Sequence, residues 1–511
     1  MAWPVERHNY FGEGILQSMA ANNPEYPEGH LWDMLNMVYI RDSEEPEKMM
    51  GYARLGSTDM GGRVTGLFDY AEGTRLIATC SDGKIYERTS GDWSQATGGT
   101  GFDSNTDTRW SGTMFYGATT TANLLILGNG IDTPKRYDSS NGVAALGGGP
   151  PSTGNFPVSF LGRCWMASGD ILYYSAVGNC EDWTTAGGNI QVERGSGNIT
   201  GLYIFMGELI IFKRTRIYRM LPTTRLSEAA IRRVSSITGT PSHQTIQEIG
   251  QDGRNALAFL SDYSCVAMIP TNTTGGYTIQ NISDPVAPII DGRSKNSVAT
   301  AWANSFEGRS EYYLQYGTAS TTPSEGLIAN YGRSRKSVRW TRHNMANMTA
   351  GCVYRSSGQQ IQVFGNTSGR VYQMHSTHAR EGSAYTGRIY TAAMSQGQPG
   401  YMKQYGRVFV DASTTGTYPV TVRTVLGRTN MPTPSGESQT ISAGAAAGWG
   451  VGLWGSELWG GSGLAGQYVR FNQVARGSYA RVYVETTGST QWFRVNGLTI
   501  EAMVTANTIA A

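Results

Sequence analysis

Carboxylate pairs are the first residues to consider, because two of them at a suitable separation can cleave a glycosidic bond. That chemistry needs the two carboxyl groups about 5 to 9.5 Å apart. Glu181 and Asp182 are adjacent in the sequence, so on an extended chain their side chains point to opposite sides. Ser81-Asp-Gly-Lys has an Asp-Gly pair between two apolar runs, which indicates a tight turn. The sequence therefore predicts no catalytic residues and no enzymatic activity.

One acidic segment and one histidine pair are spaced somewhat like metal sites. Asp103-Ser-Asn-Thr-Asp-Thr begins like a calcium-binding loop, but Thr108 stands where that loop needs glycine. Met114 stands where the bidentate glutamate belongs. His375 and His378 lack the spacing of the two-histidine helix of metalloproteases. We therefore predict no metal site and no cofactor, and we interpret the histidines as turn or surface residues.

The cysteines and the glycine-rich segments provide no chemical motif. The five cysteines are odd in number and form no C-x-x-C pair, which argues against a disulfide framework and against a zinc site. We expect them to be reduced and buried. The sequence has no G-x-S-x-G elbow, no P-loop and no complete dinucleotide fingerprint. The cysteines are Cys80, Cys164, Cys180, Cys265 and Cys352.

Two sets of residues could bind a partner. Basic residues cluster in two segments, where they could contact DNA phosphates or acidic patches on a neighbouring subunit, or could form a solvated strand face. Three tryptophans recur every five residues in a Gly-rich loop, where they could anchor a subunit interface or stack on sugars. The basic residues are Lys213, Arg214, Arg216, Arg219, Arg333, Arg335, Lys336 and Arg339, and the tryptophans are Trp449, Trp454 and Trp459.

The composition favours a large all-β protein. The 511 residues exceed what one hydrophobic core usually organises, so we expect several domains or one repeat-built domain. Glycine accounts for 66 residues and charged residues for 16%, which predicts many tight turns and a surface poor in charge. The net charge of +2 provides no general attraction to nucleic acid or to anionic membranes.

The amino terminus lacks the pattern of a secretion signal, and the most apolar stretch, residues 202–212, is too short to span a bilayer. We therefore expect synthesis in a cytoplasm and no membrane insertion. Residues 1–55 differ from the rest of the chain and are predicted to form an amino-terminal arm. The arm includes a possible short helix from about Glu28 to Ile40.

A repeat of short apolar strands separated by turn residues occupies residues 56–395. Seven copies recur with a mean spacing of about 48 residues, which is the period of propeller blades. One blade cannot cover its own two apolar faces, so blades must close into a ring. The sequence therefore predicts a β-propeller of about seven blades. The copies lie at residues 65–86, 124–137, 163–174, 200–218, 257–266, 312–331 and 361–372.

The repeat stops at about residue 395, and a different pattern covers residues 396–511. Segments such as Gly406-Arg-Val-Phe-Val-Asp and Ala480-Arg-Val-Tyr-Val-Glu alternate apolar and polar residues. That alternation is typical of half-buried strands. We predict a carboxy-terminal β-sandwich in an all-β protein.

The order of these segments resembles the propeller-type tail proteins of tailed bacteriophages, particularly the tail nozzle proteins of short-tailed phages. The resemblance implies a ring, commonly of six subunits, below the tail adaptor, with tail fibres attached and phage DNA passing through its lumen. It implies no catalytic residue. The segments that carry it are Val64-Thr-Gly-Leu, Gly83-Lys-Ile-Tyr, Gly130-Ile-Asp-Thr-Pro-Lys-Arg-Tyr, Gly162-Arg-Cys-Trp, Leu172-Tyr-Tyr-Ser, Ile199-Thr-Gly-Leu and Val495-Asn-Gly-Leu-Thr-Ile-Glu.

We therefore expect a non-enzymatic virion protein that forms a homo-oligomeric, hexameric ring in the tail and serves DNA ejection. Its partners would be the tail adaptor, the tail fibre proteins and the DNA in transit. A second hypothesis is a propeller that binds or cleaves glycans at the host surface, based on the Asp-Gly turns and the three spaced tryptophans.

Overall fold

The structure of this protein is a computed structural model, and the description below covers most of its chain. The residues described are 5–8, 10–23, 25–40, 43–117, 123–222, 231–251, 253–271, 276–293, 295–317, 325–332, 338–345, 347–395, 401–414, 417–427, 436–442, 465–489 and 492–506.

Seven four-stranded antiparallel blades can be traced through the described residues, in chain order, and each sequence copy falls in a different blade. The predicted fold class, an all-β propeller of about seven blades with an amino-terminal arm and a carboxy-terminal sandwich, is confirmed. From the innermost strand outward, blade 1 has Val64–Tyr70, Arg75–Cys80, Lys84–Arg88 and Ser94–Gln95; blade 2 has Ser111–Phe115, Leu124–Gly128, Lys135–Asp138 and Gly142–Ala145; blade 3 has Asn155–Phe160, Arg163–Ser168, Ile171–Tyr174 and Gly188–Gln191; blade 4 has Ile199–Phe205, Glu208–Lys213, Ile217–Met220 and Ile231–Ser235; blade 5 has Gln247–Gln251, Arg254–Leu260, Cys265–Pro270 and Tyr277–Asn281; blade 6 has Trp302–Phe306, Glu311–Tyr316, Glu325–Asn330 and Arg339–His343; and blade 7 has Met348–Ser356, Gln359–Asn366, Val371–Met374 and Tyr52–Arg54.

Neighbouring blades bury each other's apolar faces. Ile77 and Ile85 of blade 1 pack with Leu125 and Leu127 of blade 2, and all four side chains are buried. Each such side chain contributes about 1.5–3 kcal/mol when it leaves water. The ring therefore buries apolar faces that a single blade would leave exposed to water.

The amino-terminal segment closes the ring. Strand Tyr52–Arg54 pairs antiparallel with Val371–Met374 and forms the outermost strand of blade 7. The hydroxyl of Thr349 in blade 7 donates to the carbonyl of Val64 in blade 1 at 2.6 Å. The segment that precedes blade 1 in the sequence is thus a strand of blade 7, and a direct hydrogen bond joins the two blades.

The carboxy-terminal strands form a sandwich of two sheets that also includes strands of the arm. Val408 and Val410 of one sheet and Val420 and Val422 of the other belong to one buried core. The second sheet is continuous with blade 6, whose outermost strand pairs with His30–Leu35. The first sheet runs Ala465–Gly477, Met402–Thr414, Phe493–Ala506, Glu47–Lys48 and Met37–Val38, with Val5–His8 on Phe493–Ala506; the second runs Glu437–Ser442, Thr417–Gly427, Tyr479–Gly488, Tyr385–Thr391 and His30–Leu35, with Gly14–Ile15 on His30–Leu35.

The helix expected from about Glu28 to Ile40 is wrong. That segment contains strands His30–Leu35 and Met37–Val38, separated by Asn36 with a left-handed φ of 54°. Leu31 pairs with Thr391, a residue that lies 360 positions along the chain in strand Tyr385–Thr391 of the second sheet. A distant strand therefore provides the backbone hydrogen bonds that a local helix would have provided. This tertiary pairing overrides helix propensity. The division of the sequence at residues 55 and 395 remains a prediction.

Helices are short within the described residues. The α-helix Ala287–Asp291 follows the 3₁₀ turn Asp284–Val286, and the 3₁₀ turn Lys295–Thr300 leads into blade 6. A further 3₁₀ turn, His243–Thr245, lies between blades 4 and 5. That turn reaches the centre of the propeller.

Candidate functional site: the propeller channel and its upper mouth

The innermost strands of the seven blades surround a central channel. We call the face where these strands begin the upper face, and the face where they end the lower face. A cavity of about 340 Å³ occupies the channel and is lined by residues of all seven blades. Gly112 permits the close packing, because a Cβ there would lie 2.8 Å from the ring of Phe68. Such an approach would force the Phe68 ring or one of the two strands to shift.

Gln244 obstructs this channel. Its side-chain Nε2 donates to the carbonyls of Trp110 at 3.1 Å and Thr65 at 3.3 Å, which belong to blades 2 and 1. Gln244 itself lies between blades 4 and 5, so its side chain crosses the channel. The segment is fixed at its base, since the Ser242 hydroxyl donates to the carbonyl of Ala301 at 2.6 Å. The amide of Gln244 thus ties opposite sides of the ring together.

A second cavity of about 480 Å³ opens at the upper face, and we call it the upper mouth. Phe156 lines it with a left-handed φ of 55°, and its ring centroid lies 4.9 Å from that of His243. The Ser111 hydroxyl donates to Asn155 Oδ1 at 2.8 Å, which holds the start of blade 3 against blade 2. The polar lining includes Asn105, Asp107, Arg109, Asn129, Asn155 and Asn198.

Burial is the largest cause of the pKa shifts of Arg109 and His243 at the upper mouth. Burial, and then the charge of Arg63, lower the pKa of Arg109 to about 9, so this guanidinium is charged at neutral pH. Arg63 Nη1 lies 3.5 Å from Asp107 Oδ1. Burial lowers the pKa of His243 to about 4, so His243 is neutral at pH 7.

The acidic segment that begins at Asp103 lies at this mouth, beside the 3₁₀ turn His243–Thr245. Asp103-Ser-Asn-Thr-Asp-Thr contributes Asn105, Asp107 and Thr108, and the 3₁₀ turn contributes His243. Within the acidic segment, the carboxylate of Asp103 accepts the Asn105 amide at 3.3 Å, and Asn105 Oδ1 accepts the Asp107 amide at 2.9 Å. The side chains of Asp103 and Asn105 therefore hold the conformation of this loop. Across the described residues, no three His, Cys, Asp or Glu side chains form a group that could hold a metal ion.

The residues that the sequence interpretation missed are Arg63 and Arg109. Arg63-Val-Thr-Gly and Arg109-Trp-Ser-Gly share the pattern Arg-x-(Ser/Thr)-Gly at the start of the innermost strands of blades 1 and 2. Asn198-Ile-Thr-Gly occupies the same place in blade 4. Alignment of the repeat on this pattern would have placed all three residues at the upper face.

Asp82 and the pair Glu181–Asp182 have structural partners. Asp82 lies in the turn between strands Arg75–Cys80 and Lys84–Arg88. Its Oδ1 accepts the Lys84 amide at 3.1 Å, and the Tyr86 hydroxyl donates to its Oδ2 at 2.6 Å. Glu181 Oε1 lies 3.1 Å from Arg136 Nε, while Asp182 Oδ1 accepts the Thr185 amide at 2.9 Å. The two adjacent carboxylates therefore face different partners.

The histidine pair lies at the junction of blades 6 and 7. His375 Nε2 lies 3.2 Å from Gln362 Oε1 and 3.6 Å from Glu311 Oε2. Burial, and then the charge of Arg309, hold the pKa of His375 well below its usual value. His375 lies in the turn after strand Val371–Met374, with a left-handed φ of 55°, and its ring packs into a polar junction.

The first basic segment, which contains Lys213, Arg214, Arg216 and Arg219, has its charges largely neutralised by neighbouring residues. Lys213 is buried, and its ammonium donates to the Val192 carbonyl and the Ser196 hydroxyl, both at 2.6 Å. Arg219 is also buried, so two of the four basic residues of this segment do not belong to a solvated strand face. The ion pairs are Arg214–Asp262 at 2.9 Å, Arg216–Glu193 at 2.6 Å and Arg219–Glu208 at 3.2 Å.

The other residues considered for binding divide between buried and undescribed positions. Arg339 is buried, and its Nε donates to Asn330 Oδ1 at 3.1 Å. Arg333, Arg335, Lys336 and the three tryptophans Trp449, Trp454 and Trp459 lie outside the described residues. The five cysteines are free thiols; Cys80, Cys164, Cys180 and Cys265 are buried, and Cys352 is half-buried.

Within the described residues, no helix is long and apolar enough to cross a membrane. No family model matches the sequence. No curated protein matches it either.

Solved structures do match, at low sequence identity. The structure of U3-55K matches with a TM-score of 0.42 and 8% identity, covering 63% of this chain and 98% of that chain. The RRP9 WD40 repeats match with a TM-score of 0.41 and 9% identity, covering 63% and 99%. YCF48 bound to D1 peptide matches with a TM-score of 0.38 and 10% identity, covering 64% and 99%.

These matches correct one expectation from the sequence. The resemblance to the propeller-type tail proteins of tailed phages is wrong, because the matching structures include WD40 repeat propellers and no phage protein was found by sequence. The reason is physical: Val64-Thr-Gly-Leu and Ile199-Thr-Gly-Leu both begin the innermost strand of a blade, so such short motifs follow from the blade repeat and do not identify a family. The evidence for the propeller fold is the arrangement of strands in this chain itself.

Proposed function

We propose that this chain is a non-enzymatic structural protein of a phage virion, a ring component of the tail that forms its distal DNA channel and a platform for fibres. The observation that carries the proposal is the interlocking of the two chain ends. The arm contributes strands to the sandwich and closes the propeller at blade 7, and the sandwich is continuous with blade 6. An assembly that resists force during DNA ejection needs connections of this kind.

Polar contacts reinforce the connection between the arm and the rest of the protein. The Lys48 ammonium donates to the Gly488 carbonyl at 2.6 Å, and the Trp492 indole donates to Glu47 Oε2 at 3.0 Å, which joins arm to sandwich. The Asn330 side-chain amide donates to the Tyr39 carbonyl at 2.9 Å, which joins blade 6 to arm. In this proposal a load on the sandwich passes to the propeller through paired strands and these side-chain hydrogen bonds.

The obstructed propeller channel is relevant to the route of DNA in this proposal. Because Gln244 crosses the channel, the route for DNA in this proposal is the lumen of a ring of several copies. A near-neutral protein suits that task, since it does not grip the phosphate backbone.

An apolar surface on the lower face supports ring formation by a second copy of the chain. Tyr116, Leu161, Val177 and Met206 lie in turns at the lower face of blades 2, 3 and 4, and they are 59%, 42%, 63% and 64% exposed. In a ring of seven blades, blades 2 and 3 stand across from blade 6, where the sandwich is attached. A contact between this surface and the sandwich of the next copy would be head-to-tail, the kind of contact that closes rings.

Electron microscopy of the purified full-length protein tests the proposal. We expect ring-shaped particles, and we expect antibodies against the protein to label the tails of the virions that contain it. Monomers at all concentrations, together with unlabelled tails, would refute the proposal.

A further inference from the structure

Three side chains form a row across the outer face of the second sheet of the sandwich. Tyr390 pairs directly with Tyr483 of the neighbouring strand, and Tyr483 pairs directly with Arg423 of the next strand. Directly paired residues point to the same side of a sheet. Val422 and Val484, which alternate with this row along their strands, belong to the buried core. The row therefore belongs to the outer layer of the sandwich.

The two rings of the row hold guanidinium groups in place. The rings of Tyr390 and Tyr483 are stacked, with centroids 3.6 Å apart and planes inclined by 17°. The guanidinium carbon of Arg423 lies 4.7 Å from the Tyr483 centroid, and that of Arg481 lies 5.0 Å from the Tyr390 centroid. A cation over an aromatic face is attracted by the ring, which restricts the motion of these long side chains. We call these four residues the arginine–tyrosine column.

The two arginines of the column have no acidic partner in the part of the chain that the structure describes. The guanidinium groups of Arg423 and Arg481 form no ion pair and no hydrogen bond with a described residue, and they contact the two rings instead. Arg388 on the same face differs, since it shares the Asp33 carboxylate with Arg342, each at 3.1 Å. Arg423 is exposed, so its N–H groups can reach a ligand, whereas Arg481 is half-buried and contributes its charge.

The same face carries fewer carboxylates than guanidinium groups. Glu485 is half-buried beside the column and pairs directly with Arg388 and Thr421 of the flanking strands. Glu485 and Asp33 are two carboxylates against the four guanidinium groups just described. This face of the sheet is therefore positive and attracts a negatively charged partner.

Nucleic acid fits this surface poorly. Proteins bind single strands by stacking bases on aromatic side chains, but Tyr390 is buried and its ring covers one face of Tyr483. Arg423, on the strand at the other side of Tyr483, lies over the remaining face. A chain of phosphates would also approach Asp33 and Glu485, which repel it. A protein carboxylate needs one guanidinium group and avoids both repulsions.

We propose that the arginine–tyrosine column is a docking site for an acidic segment of a partner protein. Asp or Glu carboxylates of that segment bind the exposed guanidinium of Arg423 and are attracted by the charge of Arg481. A guanidinium edge matches a carboxylate because two parallel N–H groups meet two oxygens. Tyrosine and arginine are also enriched among the residues that dominate binding at protein interfaces. The site depends on the sandwich and not on the ring assembly proposed above.

The test is fluorescence anisotropy of a labelled octaglutamate peptide with the full-length protein at low ionic strength. We expect saturable binding that weakens as salt is added. Arg423→Gln combined with Arg481→Gln should lower the affinity by about 5- to 25-fold, since one exposed ion pair contributes up to about fivefold. Arg232→Gln combined with Arg254→Gln is the matched control. It removes the same charge from exposed positions of blades 4 and 5, so the affinity should stay within about twofold.

Two further variants separate the column from a general attraction between charges. Tyr483→Leu keeps both arginine charges but removes the ring that holds Arg423, so the affinity should fall by about two- to fivefold. Glu485→Gln removes a carboxylate that competes with the peptide, so the affinity should rise by about two- to fivefold. Thermal unfolding shows which variants are folded. If Tyr483→Leu does not fold, the arginine variants and Glu485→Gln decide.

The remaining arms distinguish other occupants of the surface. A single-stranded oligonucleotide of equal charge that binds more tightly than the peptide, and loses binding in the double arginine variant, would assign the surface to nucleic acid and overturn the proposal. Self-association of the wild type that is lost in the double arginine variant would assign it to a second copy, with the same consequence. Absence of saturable peptide binding, or equal affinities of the double arginine variant and its control, would also overturn it.

Discussion

Gln244 Nε2 lies 3.1 Å from the carbonyl oxygen of Trp110, although the strands of blades 2, 3 and 4 lie between the two residues along the chain. This hydrogen bond crosses the propeller channel. It ties the segment between blades 4 and 5 to the inner edge of blade 2, and a second bond from the same amide reaches blade 1.

Replacement of Gln244 by alanine tests the role of this link. The Gln244→Ala variant loses two hydrogen bonds to buried carbonyls, so its free energy of unfolding falls by about 1–2 kcal/mol. Chemical denaturation measures the change. Gln359→Ala is the control, because Gln359 is exposed on blade 7 and its loss should change stability by less than about 0.5 kcal/mol. Equal stabilities of the two variants would contradict the role assigned to Gln244.

Ring closure can be tested at Thr349, whose hydroxyl joins blade 7 to blade 1. Thr349→Val keeps the shape but leaves the Val64 carbonyl without this donor, so we expect a loss of about 1–2 kcal/mol in the free energy of unfolding. Thr184→Val, at an exposed position of blade 3, is the matched control. If Thr349→Val is as stable as its control, the hydrogen bond between the blades does not contribute to closure.

The stability of the protein should fall as the pH is lowered from about 6.5 toward 4. The pKa of His243 is about 4 in the folded protein and near 6.5 in the unfolded chain. Between these values the unfolded state binds more protons, so stability is present above pH 6.5 and is lost as pH falls, by up to about 3 kcal/mol for this residue. His243→Gln should flatten this dependence in denaturation measured at several pH values. An identical pH dependence in both proteins would rule out the contribution of His243.

The basic segment offers a comparison of a buried ion pair with an exposed one. Glu208→Gln leaves the buried Arg219 without its carboxylate, so we expect a loss of about 2 kcal/mol in the free energy of unfolding. Asp262→Asn breaks the pair with the exposed Arg214 and should change stability by less than about 1 kcal/mol. Thermal unfolding of both variants checks the order. A larger effect of Asp262→Asn would mean that burial does not set the strength of these pairs.

The proposed ring should depend on the apolar turns of the lower face. A variant with Leu161→Asp and Met206→Asp places two charges on that surface, so we expect the assembly to dissociate while the subunit stays folded. Size-exclusion chromatography with light scattering measures the mass. Ile237→Asp is the control, because Ile237 is 86% exposed on the upper-face side, after blade 4. Intact rings in the double variant, or their loss in the control, would exclude this surface as the subunit contact.

Much of the propeller could be predicted from local patterns. The strand pairs 75–80 and 84–88, or 208–213 and 217–220, each have their apolar residues and their turn within a short stretch of sequence. The upper mouth was harder to predict, because Arg63, Arg109 and His243 come from three different connections between strands. Their proximity follows from ring closure, which brings the connections of separate blades to one face.

The sequence by itself determined the strand repeat, since each blade carries the apolar residues that must be buried and the turns that bring its strands together. Only the tertiary structure decided that His30–Leu35 is a strand, that Tyr52–Arg54 completes blade 7, and that Gln244 crosses the channel. The physical reason is that these features depend on hydrogen bonds between residues far apart in the chain. A local pattern shows that a segment needs a partner strand, and only the folded ring determines which strand that is.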